Sequence, residues 1–366
     1  MRKVSRRYSR YALGLLGVVL GLALLHWLGG GFLTPGTVEA KLNQDTAALV
    51  RAPQVFDLNH PRMRAAMGAQ NRHNPHLLAQ PDVVGTATGV DEADNPAILI
   101  FARRSLVQGA IPEVLDGIPV EVQVTGDIIA MRASASKVVI NPAGVFPHPV
   151  PIGVSTGNAG ECSAGTIGAR VKDTVGNVYA LSNNHVYALE NFAKIGSQVL
   201  QPGLYDTRCR FSSSYVIGTL YKFQPILFTA NNSIDAAIAL SLPDNLGNAT
   251  PANGYGLPKT TTAAASIGLA VQKYGRTTSL TQGSVSAING TIKVGYDIGT
   301  ATFINQIVVR SARAFILPGD SGSLLVTDPG KNPVGLLFAA DSSGKMCIAN
   351  LIDAVLSQFN VTIDGE

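Results

Sequence analysis

Charge is scarce in this chain. Only 14% of its residues are Asp, Glu, Lys or Arg, and the formal excess of +4 comes from 28 bases against 24 acids. The excess sits at one end. Arg2, Lys3, Arg6, Arg7 and Arg10 are five of those 28 bases, and Glu39 is the one acid among 24 that precedes Lys41, which leaves 23 against 23 beyond. A near-neutral body argues against nucleic acid as a partner, since binding to it needs a basic face. Cysteine is sparse too: Cys162, Cys209 and Cys347 are the only three, and none has the setting of a catalytic thiol. Two readings stand for them, a bridge between Cys162 and Cys209 that braces the region around His185, or three buried thiols. A clustered set of metal ligands is also missing. His73-Asn74-Pro75-His76 has no third ligand nearby, and Pro75 is expected to break a helix there, so neither a metal nor an organic cofactor is expected. What the chain does have is apolar content, 46%, which argues against disorder.

The apolar residues begin early. After the basic flank an uncharged run extends from Tyr11 to Leu33. Its Ala12–Leu25 core suits the apolar region of a signal peptide, with a cut after Ala40. The whole run, residues 11–33, is also long enough for a retained membrane anchor. Both readings put the flank in the cytoplasm and export the remainder, to the periplasm or the exterior. Residues 1–40 are therefore read as signal peptide or anchor.

Residues 41–132 follow as a polar stretch, helical in part around Arg62–Gln70, and then a small α+β module. Strands are expected at Val83–Val90 and Ala97–Ala102, with a turn at Asp91–Asn95 between them. A third is expected at Gly117–Thr125, where Val120, Val122 and Val124 alternate. Pro147, Pro149 and Pro151 mark 133–158 as a linker. From Gly160 short β-type runs alternate with Gly, Asn, Asp and Pro clusters, the pattern of an all-β sandwich or barrel.

Three stretches carry chemistry. Gly319-Asp320-Ser321-Gly322 lies between an apolar run and a β-type run. Glycines beside a serine let the backbone turn sharply and gather N–H groups next to the hydroxyl, as acyl transfer requires. A serine nucleophile needs a base and a group that orients the base. His185 is the histidine within a patterned region, at the end of the apolar run Val178–Leu181. Asp235 heads the run Ala236–Leu240, where a carboxylate is costly to bury unless paired.

Ser182-Asn183-Asn184-His185-Val186, Ile234-Asp235-Ala236-Ala237 and Gly319-Asp320-Ser321-Gly322 resemble, in order and spacing, the three signatures of trypsin-like (chymotrypsin-fold) serine proteases. Tyr274-Gly275-Arg276-Thr277-Thr278 is similar to the segment that opens the second barrel in secreted bacterial members. Gln201-Pro202-Gly203-Leu204-Tyr205-Asp206 looks like a bacterial branch that also resembles the plant narrow-leaf trypsin-like protein. The resemblance implies an all-β double-barrel protease domain over 159–366. Barrel one would span about 160–250, barrel two about 262–348, and a C-terminal helix about 350–358. It implies Ser321 as nucleophile, His185 as base, Asp235 as its orienter, and the Gly319 and Ser321 N–H groups as oxyanion hole. Asp320 would be held by Lys273, with Arg276 as second choice. The primary specificity pocket would have Phe315 at its base and Phe338, Ala339 and Ala340 in its wall, favouring small or medium apolar side chains of a polypeptide substrate. The rival expectation is an inactive, membrane-attached scaffold on the same fold.

Overall fold

In a computed structural model of the chain, residues 59–91, 93–107, 109–131 and 142–366 are described. The leader, with its alternative fates, lies outside the described residues. Among those that are described, no helix is long and apolar enough to cross a membrane.

The first helix, α1 (Pro61–Ala79), opens on a proline, whose missing N–H is no loss in a first turn. It then runs on through Pro75, where the sequence predicts a break. A mid-helix proline costs about 3 kcal/mol. Contacts on both sides of it offset that cost: Ala69 and Leu77 share a buried cluster with Val83, Ile98 and Ile100, and Asn74 accepts a hydrogen bond from Thr86 at 2.6 Å.

Strands β1 (Val83–Val90), β2 (Pro96–Ala102), β3 (Val114–Leu115), β4 (Ile118–Val124) and β5 (Ile128–Ala130) follow. The next set is β6 (Ser155–Asn158), β7 (Gly165–Thr166), β8 (Ala169–Lys172), β9 (Val178–Ser182), β10 (Gln198–Leu200), β11 (Val216–Phe223), β12 (Asn231–Asn232) and β13 (Ala237–Ser241). Their order is β8-β9-β13-β11-β10-β6-β7. Because β7 and β8 are one run interrupted at Ile167–Gly168, the pairing of β7 with β6 closes the ring. This is the first barrel, packed around Val154, Ile167, Ala180, Val199, Leu220 and Ala239. Val150 and Ile152, inside the stretch predicted as linker, are fully buried in the same core. The alternation Val150, Ile152, Val154 is a strand-type pattern that the surrounding prolines masked.

The second barrel comprises β14 (Ala270–Gly275), β15 (Ser279–Tyr296), β16 (Gly299–Arg310), β17 (Leu324–Thr327), β18 (Pro333–Asp341) and β19 (Met346–Leu351). They pair in the order β15-β16-β19-β18-β17-β14, and β14 returns to β15. Two closed six-stranded barrels are the chymotrypsin-like double-barrel architecture. The barrel-two sheet does not end at its own strands. Bulges in β15 shift its register with β16, and its Ile288–Ile292 portion pairs with β1. The helix and strands expected as a small α+β module are present, and β1, β2, β4 and β3 prolong this sheet in that order. A single turn, α2 (Asn184–Tyr187), follows β9. The C-terminal helix α3 (Ile352–Phe359) starts two residues later than predicted because Asn350 and Leu351 finish β19. It buries Ile352, Val355, Leu356 and Phe359, and the last strand, β20 (Thr362–Ile363), pairs with β8.

Candidate active site

The glycine-flanked turn is held from both barrels. Thr166 N–H donates to the Ser321 carbonyl at 2.8 Å and its hydroxyl to the Gly319 carbonyl at 2.9 Å. Gly319 adopts φ +102°, and a Cβ there would meet Thr277 Oγ1 at 2.5 Å. Both the left-handed backbone and the close neighbour therefore require glycine. Ser321 follows it, fully buried.

His185, in α2 just after β9, and Asp235, just ahead of β13, meet at 2.6 Å through His185 Nδ1 and Asp235 Oδ2, both side chains without exposure. The one-turn helix α2 turns His185 inward just where β9 ends. Its backbone N–H also donates to Asp235 Oδ1, at 3.3 Å. Asn183 donates to the Asp235 carbonyl at 2.7 Å, and Asp235 N–H donates to Asn350 at 3.1 Å. A third donor reaches the carboxylate: Tyr296 Oη, 2.8 Å from Asp235 Oδ2, with its ring edge-on to His185. Burial, and next the Asp235 charge, push the Tyr296 phenol well above its ordinary range, so it remains a donor. Nothing in the sequence marks Tyr296; it is at the far end of β15, and only barrel closure brings it here.

No hydrogen bond joins Ser321 to His185. Ser321 Oγ donates to the Phe338 carbonyl at 3.2 Å, and His185 Nε2, buried, has no hydrogen-bond partner among the described residues.

Asp320 points away from Ser321. It accepts from Thr277 N–H (2.8 Å), Thr278 N–H (3.2 Å), Thr278 Oγ1 (2.7 Å) and Leu317 N–H (2.9 Å). Lys273 Nζ lies 3.8 Å from it, and donates instead to Thr278 Oγ1 and to the Ser279 carbonyl. Both side chains of this pair are fully buried. Burial lowers the Lys273 pKa while the Asp320 charge opposes the shift. Gly275 makes the approach feasible, since a Cβ there would lie 2.4 Å from Asp320 Oδ1. Arg276, the second candidate for this role, is engaged elsewhere: it pairs with Asp206 and stacks over Tyr205 at 5.2 Å. Asp206 sits in the Gln201–Asp206 segment singled out in the sequence.

The predicted oxyanion donors converge. Gly319 N–H and Ser321 N–H both donate to one oxygen, the carbonyl of Met131, at 2.8 and 3.3 Å. Met131 N–H in turn donates to the Phe338 carbonyl at 3.2 Å. The Met131 side chain is 2% exposed and shares a core cluster with Phe315, Ile316, Leu337 and Ala340. Of the four residues expected in the specificity pocket, Phe315 and Ala340 are thus gathered about Met131. Phe338 and Ala339 contribute backbone, and their side chains belong to the neighbouring cluster. Cys162 and Cys209 are bridged, with Cα atoms 5.2 Å apart, and Cys347 is a buried thiol whose pKa burial raises. Among the described residues no group of His, Cys, Asp and Glu is arranged to hold a metal ion.

No family model matches the chain, and no curated protein is similar to it in sequence. Solved structures do resemble it. A glutamic-acid-specific serine protease, described as using a histidine triad in substrate binding, aligns at 20% identity and a TM-score of 0.42, over 58% of this chain and 100% of its own. Nocardiopsis protease aligns at 17% and 0.40, over 58% and 99%. Thermobifida fusca protease A aligns at 19% and 0.43, over 59% and 100%. The fold assignment rests on the closed strand order of the two barrels.

Proposed function

We propose that this protein is an exported serine endopeptidase. Ser321 Oγ attacks the peptide carbonyl, His185 accepts its proton and later delivers it to the leaving amine, and Asp235 keeps the imidazole in the required tautomer. The Gly319 and Ser321 N–H groups stabilise the oxyanion, and Asp320, steadied by its donors and by Lys273, is kept clear of it. Apolar surroundings at Phe315 and Ala340 favour a small or medium apolar residue before the cleaved bond. The substrate is a polypeptide, and the reaction as proposed draws on side chains and backbone alone. The observation that carries this reading is the convergence of two N–H donors on one carbonyl oxygen beside Ser321, next to a buried His185–Asp235 pair. The disulfide supports export, because such bonds persist in oxidising compartments. The orientation of Ser321 Oγ toward Phe338 favours the rival, a catalytically inactive scaffold.

One experiment separates the two. A fluorophosphonate probe is expected to label Ser321 in the wild type and to leave Ser321→Ala unmodified, and casein hydrolysis should fall by about 10⁶ in that variant. A wild type that neither labels nor outpaces Ser321→Ala overturns the proposal.

A further inference from the structure

A peptidase that binds polypeptide in extended form needs a strand edge beside its nucleophile, donors for the scissile carbonyl, and a pocket for the residue before the bond. Here a segment of the same chain fills all three. Strand β5 runs antiparallel to β18, with Ala130 opposite Ala339, Ile129 opposite Ala340 and Ile128 opposite Asp341. On its other side Ile129 pairs with Gly295 of β15. The strand then delivers the Met131 carbonyl to the Gly319 and Ser321 N–H groups. Met131, the residue whose carbonyl is held, is buried at 2% exposure, as is Ile128, while Ile129 between them is 40% exposed. An ordinary β-bridge would not aim a carbonyl at two N–H groups flanking a buried serine.

Resting on the peptidase reading, we infer that Ile128–Met131 is the enzyme's own first substrate, and that Ser321 cleaves the chain in cis after Met131. The hydroxyl must first leave the Phe338 carbonyl and turn to His185 Nε2. Ser321 Oγ then adds to the Met131 carbonyl carbon while its proton passes to Nε2. The bond between Met131 and the nitrogen of Arg132 breaks, and His185 gives its proton to that nitrogen. The Met131 acyl group remains on Oγ until water, deprotonated by His185, releases it as a carboxylate and restores the serine. Until β5 leaves, the strand blocks other polypeptides. Cleavage alone does not detach the upstream piece, because β1 hydrogen-bonds along β15 and β2 along β1. The same geometry sets the specificity: an unbranched apolar residue such as Met precedes the cut, with a small residue, as Ala130, before it.

The test uses the full chain, purified and followed by intact mass and end-group sequencing. Two chains are expected in the wild type, one ending at Met131 and one starting at Arg132, co-eluting under native conditions. Their rate of appearance should be unchanged over a hundredfold range of protein concentration. Ser321→Ala should stay whole. Met131→Asp should also stay whole, and should react faster with the fluorophosphonate because its strand no longer seats. Met131→Gly keeps the backbone contacts and should process at least about tenfold more slowly. It decides the matter if the aspartate variant does not fold. A wild type that remains whole overturns the inference, whether or not it hydrolyses casein. So does equal scission in Ser321→Ala, or a rate proportional to concentration. Absence of labelling in both wild type and Met131→Asp would in addition remove the peptidase reading.

Discussion

At the scale of single residues, the candidate site depends on groups that touch no substrate. Tyr296 donates to the same carboxylate oxygen that holds His185. A hydrogen bond to a charged group contributes about 1.5–3 kcal/mol. Tyr296→Phe keeps the ring and removes only that donor, so kcat should fall roughly tenfold to a hundredfold with KM little changed. Steady-state kinetics check this, and an unaltered kcat would show that Asp235 needs no second donor. Lys273 acts one step further out. It lies 3.8 Å from Asp320 and is tied to it through Thr278. Removing one partner of a buried ion pair costs about 3–5 kcal/mol, and since four other donors still hold Asp320, the low end applies. Lys273→Ala should lower the melting temperature and slow labelling of Ser321. Unchanged melting and labelling would make Lys273 a spectator.

At the scale of elements, the last strand latches barrel one. β20 pairs with β8, and Asp364 just beyond it accepts from Arg170 at 2.7 Å and Lys172 at 3.0 Å. Burial pushes the Asp364 carboxyl up, but the Lys172 hydrogen bond and the Arg170 charge outweigh it and hold the pKa below the usual 3.8. A depressed carboxylate contributes stability that is complete above its unfolded value and is lost as pH falls through the folded one. The latch should thus loosen below about pH 4, not near neutrality. Asp364→Asn should lose about 1–3 kcal/mol at pH 7 and show a smaller further loss on acidification than the wild type. Denaturant unfolding at pH 7 and pH 3 measures both. Equal acid sensitivity in the two proteins would assign the transition to other carboxylates.

At the scale of the whole molecule, His185, Asp235 and Ser321 are legible as candidate site residues because their local context is unusual. Glycines at 319 and 322 signal a turn no bulky residue tolerates, and Asp235 signals a paired carboxylate at the head of an apolar run. The strands were legible where alternation was clear, as at Val120, Val122 and Val124. Local composition misled where a few residues outvoted the pattern. Pro75 predicts a helix break, yet packing of Leu77 and Ala69 carries α1 past it. Three prolines disguised Val150, Ile152 and Val154 as linker, yet they fill the first core.

What the sequence alone determined is therefore the local set: the turn at Gly319–Ser321, the strand-forming runs, and His185, Asp235 and Ser321 as candidate site residues. The tertiary structure decided which distant strands pair. Hydrogen-bond registers such as β1 on β15 or β5 on β18 join segments far apart in the chain, and they depend on shape and bulges that no short stretch encodes. Tyr296 beside Asp235, Asp206 on Arg276, and Met131 over Ser321 all follow from those registers. Each joins groups far apart in the chain, whose pairing no short stretch names, within 3.5 Å.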